Sequence, residues 1–194
     1  MSKLYFRYGA MNCGKSTALM QVAYNYEANN KKVCVIKSVI DTKGGDSLES
    51  RIGLTRKVDL LLKSGESLEK YYDKLKNVDC ILVDEAQFLE KERVDELFYI
   101  TKMFNVPVIC YGLRTDFRSE LFTGSKRLLE LADELEELIT ICRCGKRAKF
   151  NGRYVNDEFT LDGETVKIDG SDDVVKYVPL CGKCYLEEIE KRKN

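Results

Sequence analysis

Nine consecutive residues, Gly9-Ala10-Met11-Asn12-Cys13-Gly14-Lys15-Ser16-Thr17, fit the spacing G-x-x-x-x-G-K-[ST] that cradles phosphate groups. The two glycines allow backbone angles that other residues avoid, so successive N–H groups can converge on one anion. Lys15 is spaced to reach terminal phosphates, and the Ser16 hydroxyl to hold Mg²⁺. Further on, Asp79-Cys80-Ile81-Leu82-Val83 is an apolar run that ends on two acids, Asp84 and Glu85. An aspartate at such a strand end serves the same Mg²⁺. Glu85 adds a carboxylate able to take a proton from an attacking hydroxyl. These residues support hydrolysis, mechanical work, or phosphoryl transfer to a small acceptor.

Two other groups carry chemistry. Cys142 and Cys144, with Cys181 and Cys184, form two close pairs, each followed or separated by a glycine. Four thiolates on two tight turns suit a closed, structural Cys₄ zinc site. The C-x-C spacing of the first pair leaves a disulfide or an ordinary core role open. Cys13, Cys34, Cys80 and Cys110 stand singly, three of them inside apolar runs. Phe88, Leu113, Phe117, Phe122 and Tyr177 would wall a flat, neutral ring near the strand ends, and each alone is equally at home in a core.

The elements that must position these groups read as alternating strands and helices. Leu4 to Tyr8 is a buried strand, and Ala18 to Tyr26 a helix. Lys32 to Lys37 is a second strand, followed by an aperiodic loop from Ser38 to Gly53. Val58 to Leu62 reads as a strand, Ser67 to Lys76 as a helix, and the run ending at Asp84 as the third well-marked strand. Glu90 to Phe104 is an amphipathic helix with Val94, Leu97, Phe98, Ile100 and Met103 on one side. Val106 to Gly112 is another strand, and Gly124 to Leu138 a long helix. That alternation predicts a parallel α/β sheet with helices on both faces over residues 1–140, ligands binding at the strands' carboxyl ends. Residues 141–194 form a small metal-stapled domain in which Thr160 to Lys176 is a lid-like loop and Lys183 to Asn194 a charged helix.

Composition narrows the choice. Thirty-two basic residues balance 32 acidic ones, against the basic excess of a general nucleic-acid binder. No apolar run is long enough for a membrane span and no leader pattern opens the chain, so a cytoplasmic protein is expected. Histidine is absent, which excludes imidazole catalysis and imidazole metal ligation.

The phosphate loop, Val83-Asp84-Glu85-Ala86-Gln87-Phe88, Tyr111-Gly112-Leu113-Arg114-Thr115-Asp116-Phe117-Arg118 and the paired cysteines, in that order, resemble the thymidine kinases of the cytosolic and bacterial type, from residue 3 to about 188. The resemblance implies a P-loop NTPase (RecA-like) sheet with a small C-terminal zinc-binding domain and a lasso-like loop. It implies transfer of the γ-phosphate of ATP to the 5′-hydroxyl of thymidine, with deoxyuridine also accepted, giving dTMP and ADP in pyrimidine salvage. By position, Gly9 to Ser16 and Asp84 to Gln87 would contact ATP, with Ser16, Asp84 and Asp41 on the Mg²⁺ and Glu85 as general base. Lys43 stands where the family often has an arginine. Met11, Phe88, Leu113, Phe117 and Phe122 match the thymine pocket, Tyr177 with Val166 and Ile168 the lasso, and Arg153 an arginine near the phosphates. Cys142, Cys144, Cys181 and Cys184 would hold Zn²⁺. A homotetramer inhibited by dTTP, with no nucleic-acid or membrane partner, is also implied. The rival is a RecA-like DNA-dependent ATPase with a zinc ribbon, which would need a basic face. A non-enzymatic nucleotide-binding scaffold would need no acceptor site.

Overall fold

A computed structural model describes residues 1–39, 45–163 and 174–193. In chain order the elements are β1 (Leu4–Gly9), α1 (Lys15–Glu27), β2 (Val33–Val39), β3 (Ser47–Glu49), β4 (Thr55–Lys57), β5 (Leu60–Lys63), α2 (Tyr72–Leu75), β6 (Cys80–Asp84), α3 (Lys91–Met103), β7 (Val108–Leu113), α4 (Thr123–Leu131) and β8 (Glu134–Glu137). Then come β9 (Thr140–Ile141), β10 (Arg147–Ala148), β11 (Phe150–Val155), β12 (Glu158–Thr160), β13 (Val175–Leu180) and α5 (Gly182–Lys193).

Six strands form one parallel sheet in the order β5-β2-β6-β7-β1-β8. Its central strands are apolar on both sides because both faces are covered. In β6, Ile81 and Val83 point into one core with Leu97, Ile100 and Leu128 of α3 and α4. Cys80 and Leu82 point into the other, with Leu19, Met20 and Ala23 of α1. Phe6 against Tyr5 in β1, and Cys110 against Ile109 in β7, divide the same way. Parallel pairing puts the carboxyl ends of β1, β6 and β7 at one rim of the sheet.

The expected helix from Gly124 to Leu138 is corrected: α4 stops at Leu131, and Glu134–Glu137 is the edge strand β8. The leucine spacing suggested a helix, but β1 otherwise had an unpaired outer edge, and pairing it outweighs local propensity. The switch is fixed by Asp133, whose carboxylate accepts the Leu4 N–H at 2.7 Å while its own N–H donates to Leu4 O at 2.9 Å. Glu134 and Glu136 then pair with Lys3 and Arg7, and Leu135 is left 50% exposed. Met103 is likewise 65% exposed, off the buried stripe of α3. The expected loop after β2 contains a small hairpin, β3 with β4. The Ser67–Lys76 helix is reduced to a 3₁₀ turn (Glu69–Tyr71) and the single turn α2.

Past β9 and β10, the antiparallel sheet β12-β11-β13 packs with α5 around Leu180, Tyr185, Ala148 and three of the paired cysteines. Among the described residues, no helix is long and apolar enough to cross a membrane.

Candidate active site

The phosphate loop turns in a tight space. A Cβ on Gly9 would lie 2.5 Å from Cys13 Sγ and 2.6 Å from the Leu138 carbonyl, so the loop can fold back over β1 only with glycine there. Gly14 takes φ 78° and leads straight into α1, whose first N–H groups have no helical partner and point out of the helix start. Lys15 reaches back over the loop, donating to the Ala10 carbonyl at 3.4 Å and approaching Cys13 Sγ at 3.7 Å.

Asp84 ends β6, and β7 lies between β6 and β1. At roughly 4.8 Å per strand, the acid sits about 10 Å across the rim from the phosphate-loop strand. It is 4% exposed. Burial pushes its carboxyl up to about 7 and the Glu85 charge adds to this, while the Glu85 N–H and the Lys15 and Lys37 ammoniums pull it down. A carboxylate so reluctant to ionise alone, with a helix-start hydroxyl on the facing loop, is a hard-oxygen donor set that fits Mg²⁺. Glu85 itself is left-handed, at φ 53° and ψ 37°, a conformation that costs a non-glycine residue roughly 1–2 kcal/mol. It turns the chain out of β6 into the 3₁₀ turn Ala86–Phe88.

Between these groups opens a cavity of about 500 Å³. Gly14, Lys15, Ser16 and Thr17 of the phosphate loop and α1 line it together with Met11, Phe88, Leu113, Phe117, Phe122 and Tyr177, and Glu85 and Gln87 are also in the wall. Phe88 and Phe122 meet edge-to-face at 5.7 Å between ring centres. Phe117 is fully buried under two guanidiniums, those of Arg118 at 4.6 Å and Arg153 at 4.8 Å from its ring centre. Its carbonyl accepts the Tyr185 hydroxyl at 2.6 Å.

Of the sequence-predicted residues, Gly9, Ala10, Cys13, Asp84 and Ala86 do not line the cavity. Arg153 does not line it either: its guanidinium covers Phe117 and donates to the Asp162 carbonyl at 3.2 Å. Asp41, Lys43, Val166 and Ile168 lie outside the described residues.

Six lining positions outside the phosphate loop escaped the sequence reading: Glu49, Ser50, Arg51, Ile52, Asp116 and Asn151. Asn151 is buried; its Oδ1 accepts the Met11 N–H at 2.8 Å and its Nδ2 donates to the Thr115 carbonyl at 3.0 Å. It thus ties β11 to both the phosphate loop and the loop after β7. Asp116 takes the N–H groups of Arg118 and Glu120 at 2.8 and 3.0 Å, an Asx turn that an aspartate in a short loop signals. Arg51 and Ile52, at the tip of the β3–β4 hairpin before Gly53, also line the cavity. Only the Gly53 turn marks them in sequence, because the hairpin is too short for a visible alternation.

The four paired cysteines converge, with all four Sγ atoms within 4.8 Å of one another. A tetrahedral Zn²⁺ with bonds of about 2.3 Å requires sulfurs about 3.8 Å apart, and Cys144 and Cys181 lie at 3.5 Å. Burial opposes ionisation of Cys142, but the N–H groups of Cys144 and Cys181 bring it down to about 7. Cys184 is driven the other way, to about 12, first by its hydrogen-bonded contact with Cys144. Four crowded thiolates need a cation, and the donor set fits zinc.

The thymidine kinase family model matches residues 2–185. Among curated proteins, the thymidine kinase of Mannheimia succiniciproducens is 42% identical over 198 residues, covering 100% of both chains. That of Photorhabdus laumondii is 44% identical, over 100% of this chain and 98% of the relative. The Haemophilus influenzae enzyme is 44% identical, over 97% of this chain and 98% of its own.

Proposed function

The chain belongs to the thymidine kinase family and is a nucleoside kinase, and we propose that it transfers the γ-phosphate of ATP to the 5′-hydroxyl of thymidine, with deoxyuridine as a second acceptor. One observation carries this reading: the same cavity is lined by the helix start Gly14 to Thr17, by the rings of Phe88, Phe117, Phe122 and Tyr177, and by Glu85.

In this reading the chain's own groups align and neutralise, which is most of what phosphoryl transfer demands. The loop amides, Lys15 and the α1 N-terminus hold the triphosphate and offset charge building on the transferred group. Phe88, Phe117, Phe122 and Tyr177 close on the base and exclude water. Glu85 accepts the proton of the 5′-hydroxyl. Ser16, Asp84 and Asp41 would hold Mg²⁺, which would supply positive charge to offset that of the phosphates. Arg51, also in the cavity wall, adds positive charge for the phosphates. Cys142, Cys144, Cys181 and Cys184 hold a structural zinc that keeps β11 and β13, and so Asn151 and Tyr177, in place. We assign residues 1–140 to the nucleotide-binding domain and 141–194 to the zinc-binding domain, and expect a cytoplasmic homotetramer that dTTP inhibits by filling the thymidine cavity.

The test is a coupled ADP-release assay with thymidine, deoxyuridine, deoxycytidine, deoxyadenosine and deoxyguanosine, with single-stranded DNA as a further arm. Release driven by thymidine and deoxyuridine alone supports the proposal. Release stimulated by DNA and indifferent to nucleosides would point to the motor ATPase instead.

A further inference from the structure

Gln87 is 2% exposed, an unusual place for an uncharged polar side chain without work to do. Its Oε1 accepts the Leu113 N–H at 3.1 Å, and its Nε2 donates to Glu85 Oε2 at 2.5 Å. The first partner is itself immobile, since the Leu113 carbonyl accepts the Ser125 hydroxyl of α4 at 2.5 Å. Because a backbone N–H can only meet the carbonyl end of the amide, the NH₂ end must face the carboxylate, and the amide has one orientation. Room for it exists only because residue 112 is glycine: a Cβ there would lie 2.8 Å from Gln87 Oε1 and 3.0 Å from Gln87 N. The residue it grips occupies a left-handed backbone turn at the cavity wall, where several side-chain directions would otherwise be open.

We propose that Gln87 is a positioning residue: it fixes the Glu85 carboxylate, through the rigid end of β7, in the direction from which it takes the acceptor's proton. This role is distinct from the nucleotide contact that the family resemblance implies for Gln87, and it rests on the reading of Glu85 as the proton acceptor. The bond leaves the other oxygen, Glu85 Oε1, as the one presented to the acceptor. Losing the bond frees the side chain to rotate, and a displacement of about 1 Å at a reacting group costs on the order of 10²-fold in rate. Ground-state binding of either substrate should change far less than the transfer rate, because the bond that is lost is to the Glu85 carboxylate and not to a substrate.

The experiment is single-turnover phosphoryl transfer from ATP to thymidine by the full chain, with ATP Kd and thymidine KM measured alongside, for Gln87→Met, Gln87→Glu and Glu85→Gln. Gln87→Met keeps the bulk and removes both hydrogen bonds, while Gln87→Glu keeps the acceptor for Leu113 and removes the donor. A transfer rate 10- to 100-fold lower in both, with Kd and KM within about threefold of wild type, is expected. Glu85→Gln should fall at least as far. If Glu85→Gln collapses and a folded Gln87 variant transfers within about threefold of wild type, the positioning inference is overturned and the base assignment stands. If Glu85→Gln itself transfers normally, the base assignment fails first. If neither Gln87 variant folds, Gln87 is a stability residue and the inference is likewise overturned.

Discussion

Gly124→Ala is a one-carbon perturbation whose effect can be worked from distances. Gly124 lies in the first turn of α4, against the turn that follows Glu85. A Cβ there would sit 2.4 Å from the Ala86 carbonyl oxygen, 2.8 Å from that of Leu89 and 3.0 Å from that of Gln87. Ordinary carbon–oxygen contact is about 3.3 Å, so α4 and the turn must part by about 0.9 Å. All three obstacles are backbone, and no side chain can rotate away. Overpacking of this kind costs about 1–3 kcal/mol, which for a chain of this length lowers Tm by about 3–10 °C. If the turn takes half or more of the movement, Glu85 and Phe88 shift by about 0.5–1 Å, and transfer falls roughly 10- to 100-fold. ATP affinity should hold, because the phosphate loop hangs on β1, two strands away. Differential scanning fluorimetry and the thymidine-dependent ADP-release rate read the two effects separately. A variant with wild-type Tm and rate would refute the claim that helix-to-turn contact locates the carboxylate.

Other outcomes are open to direct measurement. Purified protein should carry about one zinc per chain, and stripping it with a chelator should lower Tm and abolish turnover through β11; a metal-free sample with native Tm would contradict this. Tyr185→Phe removes the buried donor to the Phe117 carbonyl; stability should fall by about 1–2 kcal/mol, and thymidine KM should rise more than ATP KM. The Lys70 ammonium, with the Lys63 N–H and Tyr71 hydroxyl, brings the Glu66 carboxyl from 4.5 to about 2. Its folded pKa lies below its unfolded one, so its contribution is full above pH 4.5 and lost as pH falls from 4.5 towards 2. With Lys70 half exposed, the advantage of wild type over Glu66→Gln should be about 1 kcal/mol in urea unfolding at pH 7 and should shrink steadily below pH 4.5.

Much of this arrangement is readable in the residues. The phosphate loop, the buried strand ending at Asp84 and the Val106–Gly112 strand carry strong local signals, because a parallel sheet covered on both faces needs unbroken apolar runs. The paired cysteines are legible because two close pairs on tight turns can bring four Sγ atoms together, as they do here. Glu134–Glu137 was misread because an edge strand is selected by the neighbour it pairs with, and its leucines happen to fall at helical intervals. The hydrogen bonds that Asn151 and Gln87 make could not be found from spacing at all. Their work is to join segments far apart in the chain, and a hydrogen bond across 26 or 140 residues leaves no local period.

The central claim is that the carboxylate at residue 85 receives the acceptor's proton beside a triphosphate held by the first loop of the chain. Rapid-quench single-turnover transfer from ATP to thymidine by Glu85→Gln tests it most directly. The account predicts ATP affinity within about threefold of wild type and a transfer rate lower by 10²-fold or more. Transfer at close to the wild-type rate would contradict it.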